Sequence, residues 1–465
     1  MAASLRVAVV GAGPGGLCTA AIASRAGVNV HVFERRSLEA DQGTGFDVSV
    51  KLQAILARGG ITASDFARIS RPGSDTFRVI KSTASQPEDV FCHIALPPWL
   101  SKLLRVQPAP ETNRQAMQAA LVGRASEAGA SIRFGCTVGG ARAVTGTTSP
   151  GSSSVGAELL DDEDNSLGVY DVVVDASGFG SRLRALRIAE NADKEGQNNK
   201  EAHYTGYSMV HGIISDPETQ CDPDLVRLLG QGTLQILGPR GRNMMLQRFG
   251  AALEDRRTSL YYGRAFPTPN SLAEAINIDA SVLRNARGAL ITDGPSLKRI
   301  KEWIHDDMKE AAARSSWKPM YYHCVETIQA AALRPFWLHP SNPSFRPESD
   351  HLPLVLMGDA LHTVPPYTGE GGQLALADAA DVADFLIRSH NDNKEGRRHG
   401  VPVAELRELE RKLLKRVESV VQQAGHTKAA LERLATFDSV EAITLKDYWG
   451  NPFLASIIGL VNKLH

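Results

Sequence analysis

The stretch that decides the fold is residues 5–35, "LRVAVVGAGPGGLCTAAIASRAGVNVHVFER". "LRVAVV" (5–10) is a short β-branched run, and "VNVHVF" (28–33) is a second, with Val28, Val30 and Val32 on one face. Between them lie "GAGPGG" and the helix-like "LCTAAIASRAG" (17–27). Strand, glycine turn, helix and strand make a βαβ unit. Gly11-x-Gly13-x-x-Gly16 sits at the turn. Gly11 permits a tight bend, Gly13 close approach of a pyrophosphate, and Gly16 close packing of helix on strand. The helix N-terminus faces that pyrophosphate with unpaired N–H groups. Glu34 ends the second strand, where a carboxylate accepts hydrogen bonds from a ribose hydroxyl pair. To this point NAD and FAD fit equally well.

The second decisive stretch is "MGDALHTVPPYTGEGGQ" (357–373). "LPLVLMG" (352–358) is a buried-type strand, and Asp359 follows its C-terminal end, where ligands bind in open parallel sheets. Pro365 and Pro366 stiffen the chain and remove two N–H donors. The glycines lead into a helix expected to start near Gln373. NAD has no group that needs a second site so far along the chain from Glu34. FAD has a ribityl chain for Asp359 and a reduced ring whose negative charge a helix N-terminus stabilises.

The rest of the chain frames these segments. At 465 residues, two domains are expected. Hydrophobic residues at 43% and charged residues at 22% are ordinary for a globular protein, and a net charge of −1 gives no attraction for nucleic acid. Cys18, Cys92, Cys136, Cys221 and Cys324 are scattered, which fits a reducing compartment and neither a disulfide framework nor a zinc site. No apolar run is long enough to span a membrane, and "PFLASIIGLVNKLH" at the end reads as a helix packing back on the body. The N-terminal apolar run ends in glycines, unlike a signal peptide, so the cytoplasm is expected.

"ETNRQAMQAALVGRASEAG" (111–129) predicts a helix capped by Thr112 or Asn113. "TGTTSPGSSSVG" (145–156) and "DDEDN" (161–165) read as exposed hairpin tips, and 191–203 as a crossing between domains. Past 204, "TLQILG", "MMLQRFG" and "SLYYGRAF" suggest antiparallel strands. Residues 374–387 and 403–434 read as amphipathic helices. The fold expectation is α/β: a Rossmann-like FAD-binding domain (1–80, 105–190 and 350–400) interrupted by a β-sheet substrate domain (81–104 and 200–349). A C-terminal long helix lies within a helical segment at 401–465.

The motifs "VVGAGPGGLCTA", "VHVFERR", "GTGFDVS", "TNRQAMQAAL", "VVVDASGFGSRLR" and "LMGDALHTVPPYTGEGG" resemble those of the group A flavoprotein monooxygenases, which have the para-hydroxybenzoate hydroxylase fold. The likeness is nearest to tetracycline-inactivating monooxygenases and similar enzymes of polyketide or alkaloid metabolism. It implies that NADPH or NADH reduces FAD, and that O₂ forms a flavin hydroperoxide. The outcome is hydroxylation or epoxidation of a hydrophobic aromatic or polycyclic small molecule. It also implies cofactor contacts at Gly11, Gly13, Gly16, Glu34, Arg35, Asp47, Arg114, Asp175, Asp359, Pro366, Gly369 and Gly371.

Two departures stand out. Where the family writes Gly-Ala-Asp-Gly this chain has Asp175-Ala176-Ser177-Gly178, so the usual aspartate position is Ser177; Ser181 and Arg184 keep the pattern. Glu370 puts a carboxylate where the family has glutamine. His362 reads as a hydrogen-bonded structural residue. Gln235, Gln247 and the pair Tyr261-Tyr262 are candidates to face substrate, with core or surface sheet positions favoured for each. A halogenase or reductase on the same fold, or a non-catalytic flavin-binding protein, are the alternatives; no Trp-x-Trp-x-Ile-Pro motif is present to support a halogenase.

Overall fold

The computed structural model describes residues 4–37, 45–71, 76–82, 90–95, 110–145, 155–187, 202–230, 233–249, 259–267, 291, 294–312, 325–339, 343, 351–397 and 400–449. The crossing at 191–203, apart from its last two residues, the hairpin tip at 146–154, Cys324 and the terminal apolar segment lie outside them.

The βαβ unit forms as the sequence predicts. Arg6–Val10 and Asn29–Phe33 pair in parallel, with Pro14–Arg25 as the helix between them. Gly13 is its N-cap and Pro14 its first residue, where the missing N–H costs nothing. These strands belong to a five-stranded parallel sheet, ordered Leu354–Leu356, Val172–Asp175, Arg6–Val10, Asn29–Phe33 and Ser131–Arg133. The register sets Val10 beside both Phe33 and Asp175, and Asp175 beside Leu356. One edge of the sheet thus carries Gly11, Glu34, Ser177 and Asp359 on the segments that leave it.

Both faces of this sheet are covered. The Pro14–Arg25 helix packs with Arg114–Glu127 and Gly371–Lys394 over a core that includes Val7, Val9, Leu17, Met117, Leu376 and Leu386. A three-stranded antiparallel sheet (Val138–Thr145, Val155–Asp161 and Ser166–Tyr170) packs on the other side, its second hairpin turning through the expected "DDEDN" tip.

The second large layer is a seven-stranded sheet. Its order is Ala330–Leu338, His203–Ser215, Ser259–Pro267, Asn243–Phe249, Thr233–Leu237, Thr76–Lys81 and Val90–Ala95. Thr76–Lys81 pairs in parallel with Thr233–Leu237, so this sheet recruits residues on the near side of the boundary expected at 80. One face buries Leu234, Ile236, Met244 and Leu246 against the helices Pro223–Leu229 and Gly294–Ala312. The other carries Gln235, Met245 and Gln247 in alternation with them.

The helix Val403–Ala435 buries Leu406, Leu409, Leu413, Val417, Val420 and Ala424, the three-to-four spacing of one helical stripe. Among the described residues no helix is long and apolar enough to cross a membrane.

Candidate cofactor site

The glycine turn is built as its chemistry requires. Gly11 has φ +104°, and its N–H donates to the Phe33 carbonyl at 2.8 Å. A Cβ on Gly16 would collide with the Gly11 carbonyl oxygen, whereas a Cβ on Gly13 would meet nothing within 4 Å. Gly16 is therefore a packing glycine, and Gly13 borders open space at a helix N-terminus. The Ala12 N–H donates to Glu34 Oε2 at 2.8 Å, and the Arg36 N–H donates to Glu34 Oε1 at 3.0 Å. A cavity here is lined by Gly11, Glu34, Arg35, Thr137, Ser177 and Arg182 among others.

Asp175 is not presented to this cavity, which corrects the expectation for it. It is fully buried; one carboxylate oxygen accepts from the Ser177 N–H at 3.0 Å and the Ser177 hydroxyl at 2.6 Å, and the other from the Ser181 hydroxyl. Burial pushes its carboxyl above the ordinary range against those hydrogen bonds. It shapes the turn that brings Ser177 to the cavity wall. Arg184 braces the same turn on the second segment, donating to the carbonyls of Ala360 and Leu361 at 2.6 and 2.7 Å.

The two sequence segments meet in space. The Met357 N–H donates to the Asp175 carbonyl at 3.0 Å, and the Thr19 hydroxyl approaches Met357 Sδ at 3.6 Å. A Cβ on Gly15 would lie 3.0 Å from the Ala375 carbonyl. Two helix N-termini, at Pro14 and Gly371, are thereby drawn together at the same edge of the sheet. The second starts at Gly371, slightly ahead of the expected Gln373.

Asp359 lies between them. Its side chain is accessible to solvent, and a Cβ on Gly371 would sit 3.9 Å from its Oδ1. Desolvation pushes its carboxyl up, against the pull of His362 and Arg114. Arg114 begins the Arg114–Glu127 helix, whose N-cap is Asn113: the side chain of Asn113 accepts from the Ala116 N–H at 2.9 Å. Arg114 lies near enough to Asp359 and to Arg36 to act on the charge of both. Pro366 and Gly369 are exposed on the turn before the second helix, Gly369 with φ +70°. Glu370 is that helix's N-cap residue without a side-chain cap bond, and desolvation raises its carboxyl.

Asp47 faces the seven-stranded sheet: Gln247 Nε2 donates to its Oδ1 at 3.4 Å, and desolvation lifts its carboxyl to about 6. Gln235, the other glutamine expected on this face, accepts instead from the Tyr448 hydroxyl at 2.5 Å. Tyr261 lies in register opposite Gln247 and Tyr262 opposite Leu246. His362 is buried, its Nε2 2.6 Å from Asp378 Oδ2. Burial would lower its imidazole, and the Asp378 carboxylate overrides that to raise it. It is a structural residue, as the sequence suggested.

Sequence reasoning missed Gln118. Gln118 Nε2 donates to the Ala12 carbonyl at 2.8 Å and so fixes the glycine turn from below. Its signal was present: it lies one helical turn after Arg114, on the same face.

A glycine turn, carboxylates after two parallel strands and two converging helix N-termini are groups that a flavin nucleotide can use, and the donor set fits FAD. Residues 4–186 match the family described as the FAD binding domain. The chain as a whole is similar to curated monooxygenases, and its fold is that of solved FAD-bound enzymes.

Its relatives include monooxygenase asqM of Emericella nidulans, 24% identical over 83% of this chain and 84% of that protein. Monooxygenase penA of Penicillium thymicola is 25% identical over 82% and 84% respectively. Among solved structures, CtdE in complex with FAD and its substrate superposes with a TM-score of 0.68 at 16% identity, covering 99% of this chain and 100% of that one. Klebsiella pneumoniae HpxO complexed with FAD and uric acid gives 0.63 at 18% identity, covering 93% and 90%. At these identities the structural likeness speaks to the fold.

Proposed function

We propose that the chain hydroxylates or epoxidises a hydrophobic aromatic or polycyclic small molecule in secondary metabolism, consuming O₂ and NADPH or NADH. One oxygen atom enters the substrate, the other leaves as water, and the nicotinamide supplies the two electrons. Bound FAD would carry those electrons to O₂ and deliver the oxygen atom. We place the enzyme in the cytoplasm, where NAD(P)H is available.

The residues divide the work along the cleft. Glu34 and Arg35 hold the adenosine half, with Ser177 and Arg182 on the opposite wall. The helix N-terminus after Gly13 receives the pyrophosphate, a role that the open space at Gly13 supports. Arg114 neutralises the phosphate and ribityl region, and Asp359 accepts from ribityl hydroxyls. The N-terminus at Gly371 stabilises negative charge on the reduced ring, and Pro366 and Gly369 border that ring. The five-stranded sheet and its helices form the FAD half. The seven-stranded sheet forms the substrate half, with Gln247 and Asp47 beside the join. A cleft between two sheets excludes water from the reacting atoms.

The observation that carries this reading is the meeting of two segments, one near each end of the chain, at one sheet edge. The test is NAD(P)H oxidation by the purified holoprotein with and without aromatic candidates under isotope-labelled O₂. Substrate-stimulated turnover with label in the product supports it. A flavin-loaded protein with no stimulated turnover across a broad panel overturns it in favour of a flavin-binding interaction protein.

A further inference from the structure

Behind the cofactor turn runs a ladder of alternating charges that the cofactor motifs do not include. Asp378, fully buried two helical turns into Gly371–Lys394, accepts on one oxygen from both the Gly358 N–H at 2.9 Å and His362 Nε2. Its other oxygen accepts from Arg416 Nη1 at 2.7 Å, and Arg416 comes from the Val403–Ala435 helix. Arg416 Nη2 continues to Asp381, which Lys412 also reaches at 2.7 Å from the surface.

The inner end of this ladder grips the turn on both sides of Asp359. Gly358 has φ +53°, a conformation that L side chains rarely adopt, and a Cβ there would lie 3.3 Å from the Ala375 Cβ. Its N–H is held by Asp378. On the other side His362 is held by the same oxygen, and the Thr363 hydroxyl donates to the Asp359 carbonyl at 2.9 Å. The direction of the Asp359 side chain is therefore set by Asp378, and Asp378 is a buried carboxylate whose partner outside the turn is Arg416. Removing Arg416 leaves Asp378 with His362 as its remaining cationic partner, and the turn must rearrange to accommodate the change.

We propose that Arg416, on the C-terminal helix, is a positioning residue for the cofactor turn: through Asp378 it fixes Gly358 and His362, and with them the aim of Asp359. The inference rests on FAD occupying the cleft as proposed above. It makes the C-terminal helix, which lies outside the FAD binding domain match at 4–186, part of what sets flavin affinity and the flavin's electronic surroundings.

The experiment is titration of deflavinated protein with FAD, followed by the visible spectrum and midpoint potential of the bound flavin. R416M is expected to weaken FAD binding by about tenfold or more and to shift both spectrum and potential. R416K keeps the charge but offers one nitrogen in place of the two that reach Asp378 and Asp381, and should fall between. Two controls on the same helix are K412M, at the ladder's outer end, and R407M. Arg407 bonds to Glu410 and to the Leu352 and Leu354 carbonyls, so R407M lowers the melting temperature without touching the turn.

Both controls should keep wild-type FAD affinity and spectrum. Wild-type affinity and spectrum in R416M overturn the proposal, as does R407M matching R416M in affinity loss. If R416M does not fold, R416K decides: weaker binding at a near-normal melting temperature supports the proposal, and unchanged binding overturns it. Failure of the wild-type chain to bind FAD overturns the FAD reading instead.

Discussion

Gly13 and Gly16 share one motif and do different jobs. Gly16 is required by the fold, because a side chain there strikes the Gly11 carbonyl; Gly13 faces open space. Gly13→Ala should leave the melting temperature of the FAD-free protein within about 1 °C of wild type while weakening FAD binding strongly. Gly16→Ala should lower the melting temperature of the FAD-free protein by several degrees, readable by calorimetry. Equal effects of the two on the FAD-free protein would contradict the division.

Asp47 gives a pH signature. Burial raises its carboxyl from the ordinary 3.8 to about 6, so between these values the native chain holds more protons than the unfolded one. Stability therefore falls as pH rises through that window and levels off above it. Because Asp47 itself is exposed to solvent, the effect is smaller than the shift alone implies. Asp47→Asn should flatten that part of the melting-temperature profile and raise the neutral-pH value. A steeper profile in the variant would contradict the assignment. Glu34 and Asp359 were legible as residues because each follows an apolar strand. The roles of Asp175 and Ser177 were not, since a small offset inside a turn reverses which side chain is buried, and only the hydrogen bonds to Ser177 and Ser181 settle it.

The helices were the most readable elements. The Arg114–Glu127 helix follows from its apolar spacing and from the Asn113 cap, and the cap matters to the site because the helix's first residue is Arg114. Asn113→Ala should cost about 1 kcal/mol of stability and weaken FAD binding more than Ser49→Ala, a change at an N-cap without a side-chain bond. Denaturant melts and FAD titration measure both; an equal loss of affinity in the two variants would count against Arg114 lying in the cleft. The strands of the seven-stranded sheet were readable one by one, but their order was not. Thr76–Lys81 joins Thr233–Leu237 in parallel across a long stretch of intervening chain, and no local pattern encodes so distant a partner.

Across the whole molecule, the C-terminal helix is tied to the parallel sheet at two levels. Besides the Arg416 ladder, Glu410 is fully buried, accepting from Arg187 Nη2 at 2.8 Å, from Arg407 Nη1 at 3.0 Å and from the Leu356 N–H at 3.0 Å. Arg187→Met strands the Glu410 charge on one side and should destabilise by about 3–5 kcal/mol, with the loss seen in chemical denaturation; a change below about 1 kcal/mol would mean that Arg407 alone compensates Glu410. Local patterning could not reveal this pairing, since Arg187 and Glu410 belong to opposite halves of the chain and each looks like a surface charge on its own helix.

The account stands on one flavin nucleotide gripped from two distant parts of the chain. The most direct test is FAD binding by the deflavinated protein, compared between wild type, Gly13→Ala and Asp359→Ala. The account predicts one FAD per wild-type chain, a yellow complex that melts at a higher temperature than the FAD-free protein, and weaker binding in both variants. A wild-type chain that stays colourless, with a melting temperature unmoved by excess FAD, would contradict it.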